Sequence, residues 1–92
     1  MAGEEQKAAG VTFSFFITSL AMQASVALGT PSPLTGKSEV HMPQAKMLID
    51  TLVMLKEKAA GNLSAEEDTL IDRCLVELQD VYAQKLREQG AA

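Results

Sequence analysis

One cysteine and one histidine are all that these 92 residues offer to thiol and imidazole chemistry. Cys74 alone cannot close an internal disulfide, and His41 alone cannot build a zinc site. Aromatic residues make up only 4% of the chain. Basic residues are outnumbered, 8 against 12 acidic, for a formal net charge of -4. That balance argues against nucleic acid, which needs a basic face. The length leaves room for one domain, and a chain this short buries little surface on its own. Self-association would ease that shortage.

The most telling absence is local. No charged residue occurs from Ala8 to Gly36, while the segment from Ser64 onward nets -4 and residues 37–63 net +1. What fills the gap is apolar and small, as befits a sequence that is 47% hydrophobic. Residues 1–10, small and polar, read as a disordered tail, and residues 90–92 as a second short tail. Between them, residues 11–89 read as one helical domain. Thr12 can N-cap a helix running over 13–28, with Gly29 just past its end and Pro31 beyond. The stretch Gly29–Met42 is a linker, with turn chemistry at Leu34-Thr35-Gly36-Lys37. Pro43 suits the first turn of a second helix that runs to about Ala60 and stops at Gly61-Asn62. Ser64-Ala65-Glu66-Glu67 is a capping box that opens a third helix ending near Gln89. No internal repeat and no strand pattern is present.

Helical periodicity assigns the faces. In the third helix Leu70, Ile71, Cys74, Leu75, Leu78, Val81, Tyr82 and Leu86 share one broad side, opposite Asp72, Arg73, Gln79, Asp80, Gln84 and Arg87. Glu66, Glu67 and Asp68 crowd its first turn and Lys85 and Arg87 its last, as the helix dipole favours. The second helix carries Ala45, Leu48, Leu52, Leu55 and Ala59 at spacings of three and four, a coiled-coil-like seam. The short connection Gly61–Leu63 makes these two helices antiparallel neighbours, a hairpin over 43–89 in which the longer third helix should project past its partner.

The first helix differs. Phe13, Phe16, Ile17, Leu20, Ala24 and Leu28 form one apolar face, and Phe15, Met22 and Val26 form a second. Between them runs a stripe of small residues, Ser14, Thr18, Ala21, Ser25 and Gly29. A helix apolar nearly all round needs cover on most sides, and one hairpin cannot surround it. The fold class is therefore all-α, three helices completed by oligomerisation, with a C2 dimer the simplest case. The small stripe reads as a close helix–helix contact or as the helix's mildly polar exposed edge; flanking large apolar residues favour contact. Met47 and Met54, seven apart on the polar back of the second helix, are a second candidate contact.

Several motifs dissolve on inspection. Gly36-Lys37-Ser38 ends like a phosphate-binding loop, but the required glycine five residues earlier is Pro31, and the loop follows a helix instead of a strand. As a nucleophile Cys74 would need exposure and a basic partner; His41 is the one histidine, and Cys74 lies on the apolar face of its helix, which reads as a buried structural thiol. His41 reads as an exposed residue near the start of the second helix. Glu66, Glu67, Asp68 and Asp72 match neither a calcium loop nor a di-iron bundle, and a solvated first turn accounts for them. A membrane span over Val11–Leu28 would be short and carry Thr12, Ser14, Thr18, Ser19, Gln23 and Ser25. A signal peptide cleaved after Ser25-Val26-Ala27 would have an acidic leading segment, the wrong sign.

The order of these features resembles a known family. Phe13-Ser14-Phe15-Phe16, Ser19-Leu20, Leu28-Gly29, Leu34-Thr35-Gly36-Lys37, Ala45-Lys46, Ile49-Asp50 and Leu52 come first. Met54-Leu55-Lys56-Glu57-Lys58, Gly61-Asn62-Leu63 and Glu66-Glu67 leading to Leu78 then follow. From about Thr12 to Leu86 the chain resembles the small bacterial family known as domain of unknown function 1844. The resemblance implies a bacterial, cytoplasmic, all-helical domain with no assigned activity, and it transfers no catalytic residue.

The chain is expected to be a non-enzymatic interaction or regulatory module that self-associates, without cofactor or metal. Its candidate contact residues are Ser14, Thr18, Ala21, Ser25, Met47 and Met54. Two alternatives stand beside it: a membrane-associated adaptor anchored through the first helix, and a small-ligand binder at an oligomer interface.

Overall fold

The computed structural model describes residues 12–90, and the tail read over residues 1–10 lies outside them. Three helices follow one another: α1 (Phe13–Ala27), α2 (Met42–Ala59) and α3 (Ala65–Gly90). The described residues contain no strand; Leu28 and Val40 form one isolated antiparallel bridge. The helix limits all fall within one residue of those expected, α3 continuing through Gly90.

Local hydrogen bonding explains each boundary. The Thr12 hydroxyl accepts the Phe15 amide at 3.0 Å and starts α1. At its other end the Gly29 amide donates to the Val26 carbonyl and the Thr30 amide to the Ser25 carbonyl, both at 3.0 Å. That is a Schellman closure, which Gly29 permits with φ +112°. The linker then doubles back, and the His41 amide donates to the Ala27 carbonyl at 2.7 Å. Its tip is tied by Ser32 N–H to the Lys37 carbonyl (2.9 Å) and Gly36 N–H to the Ser32 carbonyl (2.7 Å), and at its base the Ser38 hydroxyl donates to the Gly29 carbonyl. Pro43 sits in the first turn of α2, and Gly61 (φ +87°) follows its end. The expected capping box opens α3: Glu67 N–H donates to Ser64 Oγ at 3.1 Å, and Ser64 N–H to Glu67 Oε1 at 2.8 Å.

Each helix contributes one large, fully buried side chain: Ile17, Leu52 and Ile71. Around them are buried Ala24, Ala27, Leu28, Ala45, Ile49, Leu75 and Leu78. The alanines suit the α1–α2 contact, the most extensive of the three helix pairs, because small side chains let the backbones approach. An ion pair between Lys56 and Asp72 ties α2 to α3. With 26 residues against 18, α3 outreaches α2 by about 12 Å. Part of that length does not project freely: Gln89 lies beside Val40, His41 and Met42, where the linker enters α2. The molecule is thin, with Cα extents of 55 × 31 × 16 Å.

Candidate functional site: the outer side of α1

The inward side of α1 is set by Ile17, Ala24 and Ala27, all buried. Opposite them Phe15 and Met22 remain 59% and 54% exposed, and Phe16 on the flank is 44% exposed. Ser19 and Val26 lie half-buried between and beyond them. These exposures leave a large apolar area in water on a helix without charge.

The small stripe faces α3. Thr18, Ala21 and Ser25 form one wall of a groove of about 330 Å³, with Cys74, Glu77, Leu78 and Val81 of α3 as the other wall and Leu28 and Thr30 in its lining. The lining is mainly apolar, as suits a hydrophobic occupant. Ser14 is half-buried on the same helix and does not line the groove. The structure thus brings together three of the five stripe residues, Gly29 also standing outside the lining. Met47 (65% exposed) and Met54 (43%) sit elsewhere, on the back of α2 in a shallow depression with Pro43, Lys46, Asp50 and Thr51. No residue of α1 lines that depression.

Cys74 is half-buried on the groove wall, more accessible than the buried thiol expected. Burial pushes its thiol pKa up, the Glu77 carboxylate adds to the rise, and Arg73 offsets part of it. The thiolate is therefore disfavoured, the opposite of an activated nucleophile. His41 occupies the N-cap position of α2 without a side-chain cap bond, and its Nε2 lies 3.0 Å from Glu39 Oε1 in solvent. Among the described residues no three His, Cys, Asp or Glu side chains are grouped to hold a metal ion. Lys46 and Lys56 have their pKa values raised, each chiefly by the hydrogen bond to its carboxylate partner, Asp50 and Asp72 respectively.

Sequence periodicity missed some of this surface. Phe16, grouped with the core face, is nearly half exposed, and Val81 (37%) and Leu86 (51%) reach solvent from the apolar side of α3. Leu34, at the linker tip, is 93% exposed. Ile49 lies outside the α2 seam yet is buried. Its signal was available: it stands three residues before Leu52, on the same side of the helix.

A family model described as a domain of unknown function (DUF1844) matches residues 10–84. No curated protein and no solved structure matches the chain.

Proposed function

Because the chain belongs to the family described as domain of unknown function DUF1844, which carries no activity over, we propose its role from its surface: a small non-enzymatic interaction or regulatory module that self-associates through α1 in the bacterial cytoplasm. One observation carries this reading. Phe15, Phe16 and Met22 stand in water on a single uncharged helix, although the hydrophobic effect favours covering them by roughly 25 cal/mol per Å². The core beneath is small, with one large fully buried side chain per helix, so covering α1 also adds stability that the monomer lacks. Two copies are the simplest closed assembly.

A lipid surface is a weaker occupant. No helix among the described residues is long and apolar enough to cross a membrane. A helix lying on a bilayer usually carries Lys or Arg to meet anionic headgroups, and no basic residue occurs from Ala8 to Gly36.

Light scattering on the full chain at micromolar concentration tests the proposal, and the mass of two chains is expected. A cooperatively folding species with the mass of one chain would refute self-association. Flotation with anionic liposomes is the companion measurement: protein left at the bottom of the gradient rejects the membrane reading, and protein that floats supports it against ours.

A further inference from the structure

We infer that the occupant of the outer side of α1 is α1 of a second copy, laid antiparallel, so that Phe15 meets the partner's Val26 and Ser19 meets the partner's Met22. The inference rests on the self-association proposed above and specifies its geometry.

The seam is read from position. Phe15, Ser19, Met22 and Val26 step by four, three and four residues, which places them within an arc of about 60° on a helical wheel. That arc lies opposite Ile17 and Ala24, both fully buried. Steps of this kind return each residue to one side of the helix, as at a helix–helix seam. The step pattern reads the same in both directions, so an antiparallel copy meets it layer for layer.

Side-chain size then selects the direction. Antiparallel, each layer pairs a larger residue with a smaller one: Phe15 with the partner's Val26, and Met22 with the partner's Ser19. Parallel, phenylalanine meets phenylalanine and serine meets serine, a bulge beside a gap. Close-packed interfaces disfavour both.

Charge points to the same occupant. A second copy carries the same net -4, so it must approach where like charges do not face each other. The α1 surface satisfies that, since its acids and bases lie on other segments. The dipole of α1 adds a preference for direction. Its first turn holds no acid, in contrast to α3 with Glu66, Glu67 and Asp68. An antiparallel partner brings its carbonyl end, which carries partial negative charge, beside that uncompensated amide end.

The exposed side chains supply part of the area that a dimer needs. At roughly 200 Å² for a fully exposed large side chain, the exposures of Phe15, Phe16 and Met22 leave on the order of 300 Å² per copy. A specific interface buries about 800 Å² per partner. The flanking groove wall, with Thr18 and the partly exposed Val81, lies alongside to extend the contact.

Charge exchange on the full-length chain tests the direction. Ser19→Glu alone and Met22→Lys alone should each weaken the dimer at least 100-fold by sedimentation equilibrium, with helical content by circular dichroism unchanged. Both substitutions in one chain should restore association to within tenfold of the original, because each introduced carboxylate then faces an introduced ammonium across the seam. A parallel seam would set like charge against like and leave the double variant dissociated. That result, or single variants that dimerise normally, overturns the inference while self-association stands. An unsubstituted chain that is monomeric removes the proposed function itself.

If the charged variants fold poorly, cysteine substitution in a Cys74→Ala chain decides the same point. Phe15→Cys alone should give no covalent dimer on oxidation, since its copies lie about 16 Å apart along the axis. Phe15→Cys with Val26→Cys should give one. A covalent dimer from Phe15→Cys alone refutes the antiparallel arrangement.

Discussion

Replacing Phe15 by alanine removes the most exposed aromatic side chain of α1. In an isolated chain the effect on folding stability should be within about 0.5 kcal/mol, because the ring is 59% exposed and touches little of the core. In a dimer closed over α1 the same substitution is severe. Roughly 100 Å² of ring surface then leaves water in each copy, worth about 2.5 kcal/mol at 25 cal/mol per Å². Two copies lose it together, so the dissociation constant should rise by three to four powers of ten, at about 1.4 kcal/mol per tenfold. The assay is a dilution series by sedimentation equilibrium, paired with urea unfolding at a concentration where both proteins are monomeric. A dissociation constant within tenfold of the original, in a protein shown to dimerise, would place the interface away from Phe15 and refute the reasoning. A large loss of monomer stability would refute the other half, that Phe15 contributes little to the core.

Other outcomes follow from single observations. Gly29→Ala should cost about 1–3 kcal/mol, since φ is +112° and a Cβ there would stand 3.2 Å from Val40 Cγ2. Gly61→Ala, also at positive φ but in open space, should cost closer to 1 kcal/mol, roughly the left-handed penalty alone; urea midpoints that reverse this order would contradict the account of the linker. Ser64→Ala should cost about 1 kcal/mol by loss of the α3 cap, and adding Glu67→Ala should cost less than the sum of the two singles because their bonds are reciprocal. The Lys46 and Lys56 pKa values are raised above the ordinary 10.5 by their carboxylate partners. Their contribution is therefore complete below pH 10.5 and is lost as pH climbs through the raised values. Asp72→Asn should narrow the difference between neutral and alkaline urea midpoints, and an unchanged difference would count against the Lys56–Asp72 pair. Cys74, its thiol pKa raised by burial and by Glu77, should react with a maleimide at pH 8 more slowly than free cysteine.

Signals carried by local hydrogen bonding were legible in the sequence. Thr12, Gly29, Gly61 and the Ser64–Glu67 box sit where expected, because a cap depends on residues within one turn and not on the rest of the fold. The amphipathic α3 was legible for the same kind of reason: Ile71, Leu75 and Leu78 alternate with charged residues, and only one side can be buried. The first helix was harder. Where almost every side is apolar, periodicity does not single out the inward one, so Phe16 was grouped with Ile17 although it is nearly half exposed. In α2, Ile49 escaped because a seam describes contact with one neighbour, whereas α2 packs against both α1 and α3. The small stripe was visible as composition, but its meeting with Cys74 and Val81 across a groove depends on how α1 lies against α3. Leu34 gave no signal, since a lone leucine in a turn looks like any other.

The doubled-back linker bears on how copies of this chain can join. Exchange of an N-terminal helix between molecules needs a connection that can straighten. Here the connection is fastened at its root by the Leu28–Val40 bridge, the His41 amide on the Ala27 carbonyl, and the Schellman closure around Gly29. Lys85 of α3 also packs near Gly29. To swing α1 into a neighbour, all of these would have to open together before any new contact formed. The fastening therefore favours partners that meet as finished surfaces over partners that trade segments, and with it assemblies that separate and re-form without unfolding.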